Sequence, residues 1–391
     1  MNIEDRILQR KRRGERRRLL VDESALSPVW HPESPVGRGA TIERLLDRLD
    51  PVFDGETPED VYVHGPSGCG KSAVVTALFR HLSRHLSSPT NTIQTTTRSG
   101  SESGTTFAYV DVRTATSEFE FYHRLLDEST DESVPRRGLS TDELRGRIRK
   151  SLRTQSLVVA LDHVDEVDPS LLEWLARERD EWSRDVSVVA VGRASPGGAP
   201  EAVSDAPTVE VPRYHRAEVT DILTSRTTAG LARDAVTHDQ IRTLATWAEG
   251  DAHDSLAALL GTVDAALDDG ATVVEEDHLR AGMDSVPRPC VSLGRVLALA
   301  ENRQEVLRYL LELDESERSS VQKTADALAS RSSLSASTIR RYLYELAEQD
   351  VVARVQADES NGAGRPPSRV EPRFPTRAFE RLTAVETRTA N

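Results

Sequence analysis

The run GPSGCGKS places Gly65, Pro66, Ser67, Gly68, Cys69, Gly70, Lys71 and Ser72 in the spacing of a phosphate-binding loop. Backbone N–H groups of such a loop, with the positive end of the helix that follows it, cradle phosphate oxygens. Lys71 is placed to reach the β and γ phosphates of ATP, or the β phosphate of ADP, and Ser72 to offer its hydroxyl to Mg2+. Cys69 reads as a small loop residue rather than a redox sensor. Downstream, LVVALDHVDEV (residues 157–167) ends an apolar run at Asp162, the position from which a carboxylate serves the metal. The next position in a nucleotide hydrolase is usually glutamate, a base that contributes roughly 10²–10⁴ to the rate. Here it is His163. An imidazole, with an ordinary pKa of about 6.5, accepts a proton but brings no negative charge to polarise water. Glu166 lies three residues further on and is a weak substitute.

The elements that must position these groups are legible around them. VYVHG is a short buried-strand run broken by glycine, and SAVVTALFRHL then sets Val74, Leu78 and Leu82 at helical spacing. Residues 87–106, rich in Ser, Thr and Gly, read as a mobile loop. FAYVDV, LVVALD and VSVVAVG read as further strands, with helices marked by Leu144, Ile148 and Leu152 and by Leu171, Leu172 and Leu175. Strands alternating with helices predict an α/β fold, a mostly parallel sheet covered on both faces. From Arg216 to about Val286 the pattern is all-helical, with Val219, Ile222 and Leu223 on one stripe and Leu256, Leu259, Leu260 and Val263 on another. Pro287 and Pro289 punctuate the next boundary. The predicted organisation is a basic arm and lead-in over residues 1–34, a nucleotide-binding domain over 35–211, a helical lid over 212–287 and a last domain over 288–391.

That last domain has its own pattern. Val306, Leu310 and Leu313 share a helical face, as do Val321, Ala325 and Leu328, and as do Ile339, Leu343 and Leu346. The third helix then turns Thr338, Arg340, Arg341 and Tyr344 outward. VVARV, a Gly-rich turn and PSRVEPRF complete the pattern of a winged helix, with Arg365 and Arg369 on or beside the wing and the third helix in the major groove of double-stranded DNA. A helical protein-interaction domain with solvated arginines is the alternative.

Composition bounds these readings. The 391 residues exceed one ordinary core, so two or three domains are expected. The chain carries 64 Asp and Glu against 50 Lys and Arg, a formal charge of −14. Its mean hydropathy is −0.47. Lys11, Lys71, Lys150 and Lys323 are the only lysines. Acidic excess with scarce lysine and few aromatics points to a halophile's cytosol, with an ordinary acidic soluble protein as the alternative. Cys69 and Cys290 are far apart and outside any metal-ligand spacing, which argues for a reduced compartment and against structural zinc. With no apolar signal core and no run of about eighteen apolar residues, the expected location is the cytoplasm, in association with the nucleoid, and not a membrane. The arginine cluster in RILQRKRRGERRRLL is read as a solvated arm or a nucleic-acid contact.

Several segments taken in order resemble one family, the archaeal origin-recognition and cell-division-control initiators of the AAA+ class. ALSPVWHPESPVGRG resembles its lead-in, SVPRRGLSTDEL its segment before the second motif, VEVPRYHRAEVTDILTSR its strand-to-lid junction with Tyr214, and AEGDAHDSLAALL its lid motif. The resemblance implies an ATP-switched protein that binds replication origins through a carboxy-terminal winged helix and helps recruit the replicative helicase. It also implies a DNA-touching helix near Arg136 and Arg137. Three departures stand out: Arg193 where the family keeps Asn after a strand, His253 where the lid motif ends in an arginine that touches the γ phosphate, and no arginine finger in PEAVSDAPTVEV. A lost finger costs roughly 10³–10⁵ in turnover. Together with His163, these residues predict a pocket that binds nucleotide and turns it over poorly.

Overall fold

The computed structural model describes residues 18–86, 104–115, 117–130, 133–153, 155–167, 169–182, 186–356 and 368–389. Most of the predicted Ser/Thr/Gly loop, the bulk of the amino-terminal arginine cluster and Arg365 lie outside the described residues. The chain divides into two compact units, one of residues 31–214 and one of residues 1–30 with 215–391.

The first unit comprises α1 (Gly39–Leu49), β1 (Val61–His64), α2 (Lys71–Leu86), β2 (Thr105–Asp111), α3 (Glu118–Ser129), α4 (Thr141–Ser151), β3 (Ser156–Asp162), α5 (Pro169–Glu181), β4 (Val186–Gly192) and β5 (Thr208–Glu210). The five strands form a parallel sheet in the order β2-β3-β4-β1-β5. Every residue of β3 and β4 is buried, as continuous apolar strands require when both faces are covered. The period of two divides them. Val158, Ala160, Val189 and Val191 join the core built on Val74, Val75, Leu78 and Phe79 of α2, whereas Val159, Leu161, Val188 and Ala190 join that of Phe121, Leu125, Leu144 and Ile148. Parallel register brings the carboxyl ends of the strands to one edge, with Asp111 opposite Asp162 and His64 opposite Gly192. Ligands of open parallel sheets bind at that edge.

The second unit contains α6 (Arg216–Gly230), α7 (His238–Trp247), α8 (Ala252–Asp268), α9 (Glu276–Asp284), α10 (Leu293–Leu297), α11 (Glu301–Glu312), α12 (Val321–Arg331), α13 (Ala336–Glu348), β6 (Val352–Gln356), β7 (Ser368–Pro372) and α14 (Thr376–Thr389). Within it, α8 is buried along most of its length. The lead-in packs here too, with the N–H groups of Val21 and Asp22 donating to Gly230 O. Glu23 accepts two hydrogen bonds from Arg381 of α14, and Arg377 of the same helix pairs with Asp264 and Asp268 of α8. The helical region from Arg216 and the carboxy-terminal elements thus form one compact unit. Helices α11, α12 and α13 are followed by the antiparallel hairpin β6–β7, with Val352 opposite Pro372 and Gln356 opposite Ser368.

Candidate functional site

The phosphate-loop sequence occupies the turn between β1 and α2, at the carboxyl edge of the sheet. Gly70 has φ +82, and a Cβ there would lie 2.3 Å from the Tyr214 hydroxyl, so only glycine lets the backbone pass. Tyr214 is held in turn by Arg38, whose guanidinium lies 3.4 Å from the ring centroid. Arg38 is buried, and donates from Nε to Cys69 O and from Nη2 to Pro212 O. This residue lies in the lead-in motif but was not among the predicted site residues; a lone Arg gives no periodic signal, and only the fold brings residues 38, 69 and 212 together. Lys71 is also buried, and its Nζ donates to the carbonyls of Gly65 and Pro66 at 2.8 Å. Cys69 is buried, and burial pushes its thiol pKa up.

Asp162 ends β3 with only 1 % of its surface exposed. It accepts from the Tyr109 hydroxyl and from the His163 N–H, and the Ser72 hydroxyl is close enough to favour its charged form. Burial opposes its ionisation, but His163 and the two hydroxyls outweigh that effect and hold the carboxyl below its ordinary range. Ser72 and Asp162, picked separately from the sequence, are therefore brought together by the fold. This hydroxyl–carboxylate pair, the buried ammonium of Lys71 and a loop that has no room for a Cβ at Gly70 suit a metal-associated polyphosphate in size and charge.

His163 adopts φ 65, in the left-handed region. Its imidazole lies 3.6 Å from Asp162 Oδ2 and 3.6 Å from Glu166 Oε1. Burial favours the neutral ring, yet the two acids raise its pKa. Glu166 faces Arg113 at 3.6 Å and Arg193 at 3.3 Å. Burial would raise its pKa, but His163, Arg193 and Arg113 override this and lower it to about 2. Arg193, just beyond β4, also binds Asp165 through its N–H, and Arg113 binds Asp111. The edge of the sheet thus carries four carboxylates, Asp111, Asp162, Asp165 and Glu166, interleaved with two guanidinium groups and one imidazole. Arg113 was not singled out in the sequence; its register beside Asp162 follows from the β2–β3 pairing.

The remaining predicted residues belong to other elements. His253 lies in the other unit, in the first turn of α8, where its Nε2 accepts the Leu293 N–H at 2.8 Å and its Nδ1 faces Asp254 at 3.1 Å. An accepting Nε2 puts the proton on Nδ1, so the ring joins α8 to the start of α10. Sequence spacing argued against a metal site for the cysteines, but the fold brings Cys290 next to His253 and Asp254, with their ligand atoms within 4.8 Å of one another. Arg136 and Arg137 are exposed in the loop before α4, Arg136 pairing with Glu120 at 3.4 Å. On α13 the outward reading needs correction. Thr338 and Arg340 are only partly exposed, and the exposed stripe is Ser337, Arg341, Tyr344 and Glu348, because at about 100° per residue Thr338 and Arg340 fall on either side of that stripe, towards the buried face. Arg369 lies on β7 and pairs with Glu371.

Comparison with known proteins gives matches of three kinds. The family model described as "AAA ATPase domain" matches residues 34–189. The chain is 27% identical over 288 residues to "ORC1-type DNA replication protein 1" of Sulfurisphaera tokodaii, covering 70% of this chain and 68% of that protein. Among solved structures it is similar in fold to the Aeropyrum pernix ORC1 protein in complex with DNA, with TM-score 0.61, 20% identity and coverage of 95% of this chain and 98% of that one. It is also similar to the Aeropyrum pernix ORC2 protein (ADPNP-ADP complexes), with TM-score 0.54, 16% identity and coverage of 95% and 100%.

Proposed function

We propose that this chain, which belongs to the ORC1-type family of archaeal DNA replication proteins, is a DNA replication initiator that holds ATP or ADP as a switch or structural ligand and hydrolyses it weakly. The initiator role is supported by the relatives, whose likeness runs through most of the chain. Finer parts of the reading are recognition of origin DNA and help in recruiting the replicative helicase.

The observation that carries the nucleotide part is the assembly of Lys71, Ser72 and Asp162 around a loop backed by Tyr214 and Arg38. When Mg2+ is bound, it neutralises phosphate charge and orients the polyphosphate. Ser72 and Asp162 would hold it, and Lys71 would bind the phosphates. Weak hydrolysis follows from the acids available. His163 offers no carboxylate to an attacking water, and Glu166 is engaged with Arg113 and Arg193 rather than free to act as a base. The hairpin after three helices is read as a winged helix, with Arg341 and Tyr344 on its exposed face. Mg2+, the winged helix, a halophilic source and a nucleoid-associated cytoplasmic location are all parts of this proposal.

Two measurements test it. Calorimetry should detect ADP and ATP uptake by the full chain, reduced by at least about tenfold in Lys71→Ala, since that ammonium is the principal phosphate cation. Chromosome-wide occupancy of the tagged protein should fall on discrete sites at replication origins. Occupancy confined to promoters would instead make it a transcriptional or plasmid-maintenance regulator.

A further inference from the structure

Several arginines of the carboxy-terminal module, Arg308, Arg318 and Arg340 among them, are partly buried and have no carboxylate partner among the described residues; Arg354 shares that lack but is exposed. Arg303, Arg331, Arg341, Arg369 and Arg373 each have a carboxylate within 3.6 Å. Arg354, exposed on β6, has none among the described residues. Its guanidinium instead lies over the ring of Tyr344, 4.7 Å from the centroid, and its Nη2 donates to Ser368 Oγ on β7 at 3.2 Å. Tyr344 is itself on the exposed stripe of α13 and 37% exposed. The charge is therefore oriented by one aromatic face and one hydroxyl, neither of which neutralises it.

These contacts do different things from an ion pair. Stacking against a ring fixes the plane of a guanidinium and restricts its long side chain before any ligand arrives, so less freedom is lost on binding. One N–H is used by Ser368, and the others have no acceptor among the described residues. On a chain of net charge −14, an exposed cation that has no carboxylate among the described residues where the third helix meets the hairpin is suited to an external anion. We propose that Arg354, fixed by Tyr344 and Ser368, is a phosphate-backbone contact that positions double-stranded DNA on this module. The proposal rests on the DNA-binding reading above. Arg354 sets register and affinity, whereas any base reading lies with other side chains.

The test uses the full-length protein and short DNA duplexes. A mixed-sequence pool is first selected for the tightest-binding duplex, and affinities for that duplex and a shuffled control are then measured by anisotropy across a KCl series. Arg354→Gln should weaken both duplexes by a similar factor, about fivefold, and lower the slope of log affinity against log salt by about 0.9, the value for one phosphate. Arg354→Lys should keep the slope and lose part of the affinity. Tyr344→Leu should weaken both duplexes while keeping the charge. Unchanged affinity and slope in Arg354→Gln would overturn the assignment while leaving the DNA-binding reading intact. So would a loss confined to the selected duplex, which would make Arg354 a base reader, or losses that track a lowered melting temperature and are restored by Arg354→Met. A wild-type chain that binds no duplex at any salt would instead remove the underlying reading.

Discussion

At the scale of residues, the carboxyl edge of the sheet is organised to neutralise acids rather than to free one. If His163 were the single defect, His163→Glu would recover the roughly 10²–10⁴ that a general base supplies. Arg193 and Arg113 remain in place to pair with acids there, and concerted losses are not additive. The expected gain in phosphate release is therefore below about tenfold. Glu166 also leaves a pH signature. Its folded pKa of about 2 lies below the ordinary value of 4.5, so the charged form is favoured by folding. That stabilisation is complete above the unfolded value and is lost as pH falls through the folded one. In denaturant melts, the stability gap between wild type and Glu166→Gln should hold above pH 4.5 and shrink towards pH 2. A gap that widened on acidification would contradict the network. Phosphate-binding residues were readable from spacing alone because the loop is contiguous in the chain. The ion network was not, because Arg113, Glu166 and Arg193 follow three different strands.

At the scale of elements, caps and close contacts set what each helix tolerates. Helix α13 starts at Ser335, whose Oγ accepts the Thr338 N–H. Loss of such a cap costs about 1 kcal/mol. Helices α8 and α9 approach backbone to backbone at Gly282, where a Cβ would fall 2.2 Å from Thr262 Oγ1 and 2.5 Å from Ala258 O. Gly282→Ala should therefore destabilise by about 1–3 kcal/mol, the range for overpacking, as a lowered urea midpoint. A neutral result would mean that the two helices can separate at no cost. The long apolar runs of β3 and β4 made those strands legible. Helix α3 was missed even though Ser117 and Glu120 form a capping pattern, because the aromatic run after it does not show the simple helical stripe seen elsewhere. Helix α14 was also missed. Its anchor depends on Phe374 and Phe379 meeting edge to face at 5.1 Å, and on Arg377 and Arg381 finding Asp264 and Glu23, acids distant in sequence.

At the scale of the whole molecule, a charge of −14 opposes compaction and repels DNA together. Added salt should therefore act in opposite directions on the two properties. The melting temperature should rise as KCl screens self-repulsion, since the Debye length falls to about 3 Å at 1 M. DNA affinity should fall over the same range as counterion release loses its advantage. A melting temperature that fell with salt would show that ion pairs such as Glu23–Arg381 outweigh the general repulsion.

What the sequence determined by itself was whatever is written in adjacent residues: the phosphate loop, the parallel-sheet class, the acidic balance and the substitution at His163. Each depends on local spacing or on sums over the chain, which folding does not alter. The tertiary structure alone decided which charges meet. It closed Glu166 between two arginines, tied His253 to the start of α10, and set the Arg354 guanidinium over the Tyr344 ring. Pair energies depend on distances of a few ångströms, and those are set by strand register and helix packing between residues far apart in the chain.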